Sequence, residues 1–222
     1  CVTGEQTAFT AAFGMTPWEY RRDHPHLGTT FNTWLAAETQ ANCASVVAAL
    51  DVAHVARVAD IGGGSGGLLR ALLQTHPHLT GVLFDQPHVI CEAAATYGEE
   101  LRNGRLRFTG GDFFADIPVQ AQLYLLKSGR HDWGDEDAAR ILRNCRAAMP
   151  RDARLALIER VLPDRAAQAP STIMLDVQMM AITGGRERGL GEFERLLQHG
   201  GLALRGVTQT VSGFAIIEAV AA

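Results

Sequence analysis

A turn rich in glycine is the stretch of this sequence whose residue types and spacing best suit a chemical site. Residues 58–67 read VADIGGGSGG, with Asp60 ahead of Gly62, Gly64 and Gly67. The spacing GxGxxG is typical of a turn that holds a dinucleotide pyrophosphate against the start of a helix. The overlapping pattern DxGxGxG is typical of a turn that binds S-adenosylmethionine. The two interpretations imply different chemistry, hydride transfer or methyl transfer.

The carboxylate of Asp60 favours the second interpretation. A negative charge beside a pyrophosphate costs Coulomb energy, whereas S-adenosylmethionine brings a sulfonium and an ammonium to the turn. Its own carboxylate can still accept hydrogen bonds from the N–H groups that begin the next helix. Close packing of a strand on a helix would explain only one or two of the glycines. We therefore predict that Asp60, Gly62, Gly64 and Gly66 bind S-adenosylmethionine.

Two further acidic residues follow the next apolar runs. Asp85 ends GVLFD and can accept hydrogen bonds from the two ribose hydroxyls, a role shared by NAD and S-adenosylmethionine proteins, or it can cap the next helix. After the third run come Gly111, Asp112 and Phe113, where the acid can accept from the adenine amino group and the ring can cover the base. We predict that all four residues bind the cofactor.

Short apolar runs alternate with amphipathic helical stretches from about residue 56 onward, which predicts an α/β protein with a mostly parallel sheet covered by helices. The last two runs are separated only by residues 211–213, so they should form an antiparallel hairpin. A sheet of seven strands with this ending is characteristic of the Rossmann-like fold of class I S-adenosylmethionine methyltransferases. We expect residues 1–50 to be a helical lead-in and residues 51–222 the cofactor-binding domain.

The composition of the chain limits the classes of partner that it can be expected to bind. The chain has 222 residues, 47% of them hydrophobic, and a formal net charge of -4 without a run of like charges, so neither nucleic acid nor a membrane surface is expected. Four widely spaced cysteines predict no disulfide framework and no metal site, and they suit a reducing cytoplasm. Because the first residue is Cys1, we expect a fragment of a longer polypeptide.

The sequence resembles the small-molecule O-methyltransferases, a family that includes plant caffeate and flavonoid enzymes, hydroxyindole O-methyltransferase and bacterial antibiotic-tailoring enzymes. The resemblance covers about residues 9–219. It is carried by VADIGGGSGG, GVLFDQPHVI, FTGGDFF, YLLKSGRHDWGDEDAARILRNC, LIERVLP and TGGRERGLGEFERLLQHGGL. It implies transfer of a methyl group from S-adenosylmethionine to a hydroxyl of a small aromatic acceptor. It also implies a homodimer formed through an N-terminal winged-helix-like region, which this sequence does not match.

Carried over by position, the resemblance implies that His131 is the catalytic base and that Glu159 and Glu187 orient it. Lys127 matches a position that contacts the cofactor. Asp132 and Met179 match positions that line the acceptor pocket. An imidazole of pKa near 6.5 is suited to take the proton of a phenol as its oxygen attacks the methyl group. Glu159 should end the strand next to His131 and can fix its tautomer.

Simpler interpretations stand beside these roles. Asp132 or Asp135 could be the N-cap of the helix DEDAARILRNC, and Glu187 could be a solvated charge between two arginines. Met179 would ordinarily fill a core.

Several positions depart from the family pattern. Gly129-Arg130 stands where relatives carry two apolar residues, and the guanidinium of Arg130 would lower the proton affinity of His131 or bind an acidic acceptor. The alternative function is therefore a non-methylating relative, a hydroxylase, decarboxylase or binding protein. An NAD-dependent reductase is disfavoured by Asp60 and by the final hairpin. Gly189 replaces a helix-capping threonine and should weaken the helix that follows Glu187.

Overall fold

The computed structural model describes residues 6–97, 104–128, 132–163, 165 and 170–222. Its helices are α1 (Ala8–Phe13), α2 (Pro17–Asp23), α3 (Pro25–Ala49), α4 (Gly67–Thr75), α5 (Pro87–Thr96), α6 (Asp135–Ala148), α7 (Pro170–Ile182) and α8 (Leu190–His199). Its strands are β1 (Arg57–Ile61), β2 (Thr80–Asp85), β3 (Leu106–Gly110), β4 (Leu123–Lys127), β5 (Arg154–Glu159), β6 (Val161–Leu162), β7 (Arg188–Gly189), β8 (Leu202–Gln209) and β9 (Ala215–Ala221).

The main sheet has seven strands in the order β3-β2-β1-β4-β5-β9-β8. Strands β1 to β5 pair in parallel, and β9 runs antiparallel to both β5 and β8. The predicted sheet and its antiparallel final hairpin are therefore confirmed. The order reverses between β1 and β4, so the carboxyl ends of these two strands flank the crevice where ligands of such sheets bind.

Helices cover both faces of the sheet because its central strands are apolar on both sides. In β4, Leu123 and Leu125 belong to the cluster that includes residues of α3, α4 and α5. Tyr124 and Leu126 belong to the other cluster, with residues of α6 and α8. This alternation is what a strand buried on two faces requires.

The described part of the lead-in is helical, but it is divided. The sequence pattern predicted one helical stretch from about residue 17, whereas α2 ends at Asp23 and α3 begins at Pro25. A proline disfavours helical geometry in the residue before it, which explains the break at His24. Helix α2 begins with a capping box between Thr16 and Glu19.

Two helix starts differ from the simple interpretations given above. The N-cap of α6 is Gly134, so Asp135 is the first helical residue and neither Asp132 nor Asp135 is the cap. At α8 the N-cap is Gly189, whose N–H donates to the Glu192 carboxylate at 2.9 Å. Glu192 thus supplies one half of a capping box, and only the half that a threonine side chain would provide is missing.

Candidate active site

The glycine turn connects β1 to α4, and its backbone conformation favours glycine. Gly62, Gly64 and Gly66 have φ angles of 66°, 59° and 74°, in the left-handed region. A Cβ atom at Gly66 would lie 2.3 Å from the hydroxyl oxygen of Tyr97, whereas one at Gly64 would meet nothing within 4 Å. The turn is therefore tight on its Tyr97 side and open at Gly64. Tyr97 is a neighbour of the turn that the sequence did not reveal.

Asp60 is buried at the end of β1, with 2% of its surface exposed. Among the described residues, its Oδ1 atom has no hydrogen-bond partner. Burial, and then the negative charge of Asp85, raise the pKa of Asp60 to about 7, while Lys127 acts in the opposite direction. A buried carboxylate with one unpaired oxygen is suited to a cationic group or a hydrogen-bond donor of a ligand.

Asp85 faces the glycine turn. Its carboxylate accepts hydrogen bonds from the N–H of Gly64 at 2.8 Å and of Gln86 at 2.7 Å. The N-cap of α5 is Gln86, so the interpretation of Asp85 as a helix cap is wrong. Burial is the largest cause that raises the pKa of Asp85.

The loop after β3 closes over the same turn. The Phe113 ring lies 3.4 Å from where a Cβ of Gly62 would be, and the side-chain amide of Asn144 in α6 donates to the Phe113 carbonyl at 2.7 Å. Gly111 is required because a Cβ there would lie 2.6 Å from the ring of Phe84. The structure therefore brings the ends of β1, β2 and β3 together, as the sequence predicted.

Asp112 lies in this loop and is exposed. Its Oδ1 atom accepts a hydrogen bond from the N–H of Phe114 at 2.8 Å. Such a bond to the residue two positions on stabilises the turn that presents Phe113. The adenine contact assigned to Asp112 stays a prediction.

Lys127, at the end of β4, is held by the lead-in. Its ammonium donates to the Glu38 carboxylate at 3.1 Å and to the Thr39 hydroxyl at 3.3 Å, both on α3. The same carboxylate lies 3.7 Å from the guanidinium of Arg160. Glu38 and Thr39 were not identified from the sequence, since they lie almost ninety residues from Lys127 and fit no motif.

The two acids assigned to the catalytic histidine are both buried, each with 1% of its surface exposed. The interpretation of Glu187 as a solvated charge is therefore wrong. Glu159 ends β5 just before β6, Glu187 immediately precedes β7, and β6 pairs with β7 in parallel, Val161 opposite Arg188. This pairing, which the sequence pattern did not predict, brings the two acidic segments side by side.

Arg188 fixes the segment that follows residues 129–131. Its buried guanidinium donates to the Asp135 carboxylate at 2.7 and 3.0 Å and to the Trp133 carbonyl at 2.9 Å. Its hydrogen bond is also the largest cause that lowers the pKa of Asp135. His131 and Arg130, the predicted base and acid-binding residue, lie outside the described residues together with Gly129. Arg188 therefore binds Trp133 and Asp135, which follow the predicted base closely in the chain.

The remaining acceptor-pocket predictions lie near these elements. Asp132 is partly exposed and directly precedes Trp133, whose ring packs edge-on against Phe114 with centroids 4.9 Å apart. Met179 is partly exposed on α7, one turn after Asp176, which accepts the Glu187 N–H at 2.8 Å. The described part of the chain contains no group of three His, Cys, Asp or Glu residues that could hold a metal ion.

The strand order, the antiparallel hairpin and the glycine turn with its two carboxylates define the fold of class I methyltransferases. The family model described as the O-methyltransferase domain matches residues 2–203. The chain therefore belongs to the O-methyltransferase domain family, and the resemblance inferred from its motifs is confirmed.

Three comparisons illustrate this membership. The chain is 40% identical over 218 residues to the phenazine O-methyltransferase PhzM of Lysobacter antibioticus, covering 98% of this chain and 63% of that protein. It is 33% identical over 216 residues to the 2,7-dihydroxy-5-methyl-1-naphthoate 7-O-methyltransferase of Streptomyces carzinostaticus, covering 97% and 64%. The solved structure of the neocarzinostatin O-methyltransferase NcsB1 with S-adenosyl-L-homocysteine and 1,4-dihydroxy-2-naphthoic acid superposes with a TM-score of 0.90 at 32% identity, covering 100% and 66%.

The chain thus spans less than two thirds of the length of each of these proteins. All three are described as O-methyltransferases, and none supports the non-methylating alternative. Among the described helices, we find none with the length and apolar character needed to cross a membrane.

Proposed function

We propose that this chain is the catalytic part of an S-adenosylmethionine-dependent O-methyltransferase that methylates a hydroxyl of a small aromatic metabolite. The observation that carries the proposal is the buried, unpaired Oδ1 of Asp60 beside a glycine turn with left-handed φ angles. Family membership supports it, as do relatives that act on phenazine and naphthoate compounds.

The residues around the turn fit this cofactor. Asp60 offers a carboxylate to a cationic group, and Asp85 offers one to the ribose hydroxyls, with its orientation already set by the N–H of Gly64. Phe113 and Asp112 are assigned to the adenine. Lys127 is assigned to the cofactor because it matches a cofactor-contacting position of the family. Its positive charge partly offsets the rise in the pKa of Asp60. When bound, S-adenosylmethionine supplies an electrophilic methyl group on a sulfonium.

The chain's own contribution is to align the acceptor oxygen and to remove its proton. The proposed base is His131, which takes the hydroxyl proton on one ring nitrogen while the other donates to a carboxylate. Buried Glu159 and Glu187 are the proposed carboxylates. Arg188 supports this arrangement because it ties Trp133 and Asp135 to the segment that carries Glu187. Asp132, Met179 and Arg130 are proposed to line the acceptor pocket.

The test is transfer of a labelled methyl group from S-adenosylmethionine to a panel of phenols and hydroxynaphthoates by the natural polypeptide that contains this chain. We expect transfer by the wild type and by the control His199→Ala, an exposed histidine at the end of α8. We expect His131→Ala to retain cofactor binding and to lose at least about a hundredfold in rate, the usual scale of general base catalysis.

Tight cofactor binding without transfer to any acceptor would overturn methyl transfer and favour the non-methylating alternative. Full activity of His131→Ala would overturn only the role of the histidine.

We also propose that the natural protein is a cytoplasmic homodimer. Support comes from an exposed apolar row on α7, where Met174, Val177 and Met180 expose 69%, 49% and 40% of their surface. Rows of this kind on soluble proteins mark interaction sites. Light scattering should give twice the polypeptide mass, and Val177→Glu should shift it toward the monomer. A monomeric wild type would contradict the proposal.

A further inference from the structure

The guanidinium of Arg21, on α2, lies over two aromatic rings. Its central carbon lies 4.3 Å from the ring centroid of Trp18 and 4.0 Å from that of Phe31. A guanidinium is planar, and its five N–H bonds lie in that plane. Its hydrogen bonds are therefore made at the edge of that plane, while its faces pack on rings.

One nitrogen at that edge is buried and makes no hydrogen bond among the described residues. The Nη2 atom of Arg21 is inaccessible to solvent and, among the described residues, has no hydrogen-bond partner. Burial lowers the pKa of Arg21, and the charge of Asp132 partly offsets this. The fully buried guanidinium of Arg188 shows the usual alternative, because it donates to a carboxylate and to backbone carbonyls. A buried N–H group without such a partner is costly unless a ligand provides one.

Arg21 lies beside the segment that follows the predicted base. Trp18 stacks on Trp133 with centroids 5.6 Å apart and planes at 20°. Asp132, whose charge acts on Arg21, and Trp133 are the two residues after His131. Trp133 in turn packs against the aromatic residues of the loop after β3, which is assigned to the cofactor. Arg21 therefore lies near the acceptor side of the proposed site.

We propose that Arg21 binds a carboxylate on the aromatic acceptor, so that the substrate class is hydroxylated aromatic acids. This rests on the proposed function and narrows it. The guanidinium edge offers paired N–H donors with the spacing of two carboxylate oxygens. The aromatic side chains around it offer apolar contacts to the acceptor ring. Arg21 is a specificity residue in this scheme, since proton removal is assigned to His131.

The experiment uses the natural polypeptide that contains this chain and compares two acceptors of nearly the same shape, anionic 1,4-dihydroxy-2-naphthoic acid and its neutral 2-carboxamide. In the wild type we expect kcat/KM to be about 10- to 100-fold higher for the acid, mostly through KM, the scale of a charged hydrogen-bonded contact. Arg21→Gln should remove that preference and leave the rate with the amide near that of the wild type. Arg21→Lys, which keeps the charge without the planar fork, should keep part of it.

Arg22→Gln is the matched control, since the neighbouring Arg22 exposes 72% of its side chain and pairs only with Asp23 among the described residues. It should behave as the wild type. Calorimetric binding of the acid and the amide to enzyme loaded with S-adenosyl-L-homocysteine gives a readout that needs no turnover, and the same preference should appear there.

Equal use and equal binding of acid and amide by the wild type would overturn the proposal while the methyltransferase function stands. An equal loss on both acceptors in Arg21→Gln would also overturn it, because that result indicates a purely structural role. If neither compound is methylated but the acid binds through Arg21, the carboxylate site stands and the proposed function on these acceptors fails.

Discussion

Replacing Asp60 with asparagine should stabilise the ligand-free domain at pH 8 and weaken its binding of a cationic ligand. Buried Asp60 has a pKa of about 7 in the folded chain, against an ordinary value of 3.8. Between these two values the folded chain holds a proton that the unfolded chain has released. Stability contributed by the protonated form is therefore complete below pH 3.8 and is lost as the pH rises through 7.

The size of the effect follows from the pKa difference. At about 1.4 kcal/mol for each pH unit, it corresponds to about 4 kcal/mol lost by pH 8. Asparagine cannot ionise, so it avoids this loss. Its NH₂ group would, however, occupy a position where Oδ1 has no partner, at a cost of about 1–3 kcal/mol. The net gain expected for Asp60→Asn at pH 8 is therefore about 1–3 kcal/mol.

The assay is urea unfolding of the wild type, Asp60→Asn and the control Asp152→Asn, an exposed carboxylate outside the site, at several pH values from 5 to 8. The difference between Asp60→Asn and the wild type should grow with pH up to about 7 and then stay constant, while Asp152→Asn follows the wild type. In parallel, S-adenosylmethionine binding at pH 8 should weaken by about tenfold or more in Asp60→Asn. A difference that does not change with pH would refute the argument from burial.

Other positions give further tests. Gly66→Ala should cost about 1–3 kcal/mol from its left-handed φ alone, and the contact of the new Cβ with Tyr97 should add to this cost. In thermal unfolding, adding Tyr97→Phe to Gly66→Ala should not restore the part of the loss that comes from the backbone. Arg188→Met should lose about 1–3 kcal/mol in urea unfolding, because the Trp133 carbonyl loses its described donor, while Asp135, with 62% of its side chain exposed, stays hydrated, whereas Arg186→Met, half-exposed, should lose about 1 kcal/mol or less. Because Arg188 lowers the pKa of Asp135, wild-type stability should fall as the pH drops through that lowered pKa, and Arg188→Met should show less of this acid dependence. Equal losses in the two arginine variants, or an unchanged acid dependence, would contradict the assignment of the ion pair.

The sheet and the cofactor side of the site could be predicted because they follow local rules. Apolar runs of strand length, a glycine turn after β1 and acids at strand ends are signals within a few residues of one another, and parallel pairing then brings their ends together. The last two apolar runs of the sequence are separated by only three residues, and this short separation likewise required a hairpin.

Contacts between distant segments could not be predicted in this way. The partners of Lys127 on α3, the bonds of Arg188 to Asp135 and the stacking of Trp18 on Trp133 join segments far apart in the chain, and no periodicity marks them. The pairing of β6 with β7 involves only two residues in each strand, too few for a pattern. The burial of Glu187 was not predicted either, because the arginines on both sides of it suggested a solvent-exposed run of charges.

The contacts of α3 with the end of β4 determine where this chain can be divided. The expected boundary at residue 50 separates Glu38 and Thr39 from Lys127, which has a side chain only 10% exposed. A truncation there would leave that ammonium without its described acceptors and would remove Val46 and Val47, which complete the core beside α4. For expression and crystallisation, the smallest self-sufficient piece should therefore begin ahead of α3 rather than at β1.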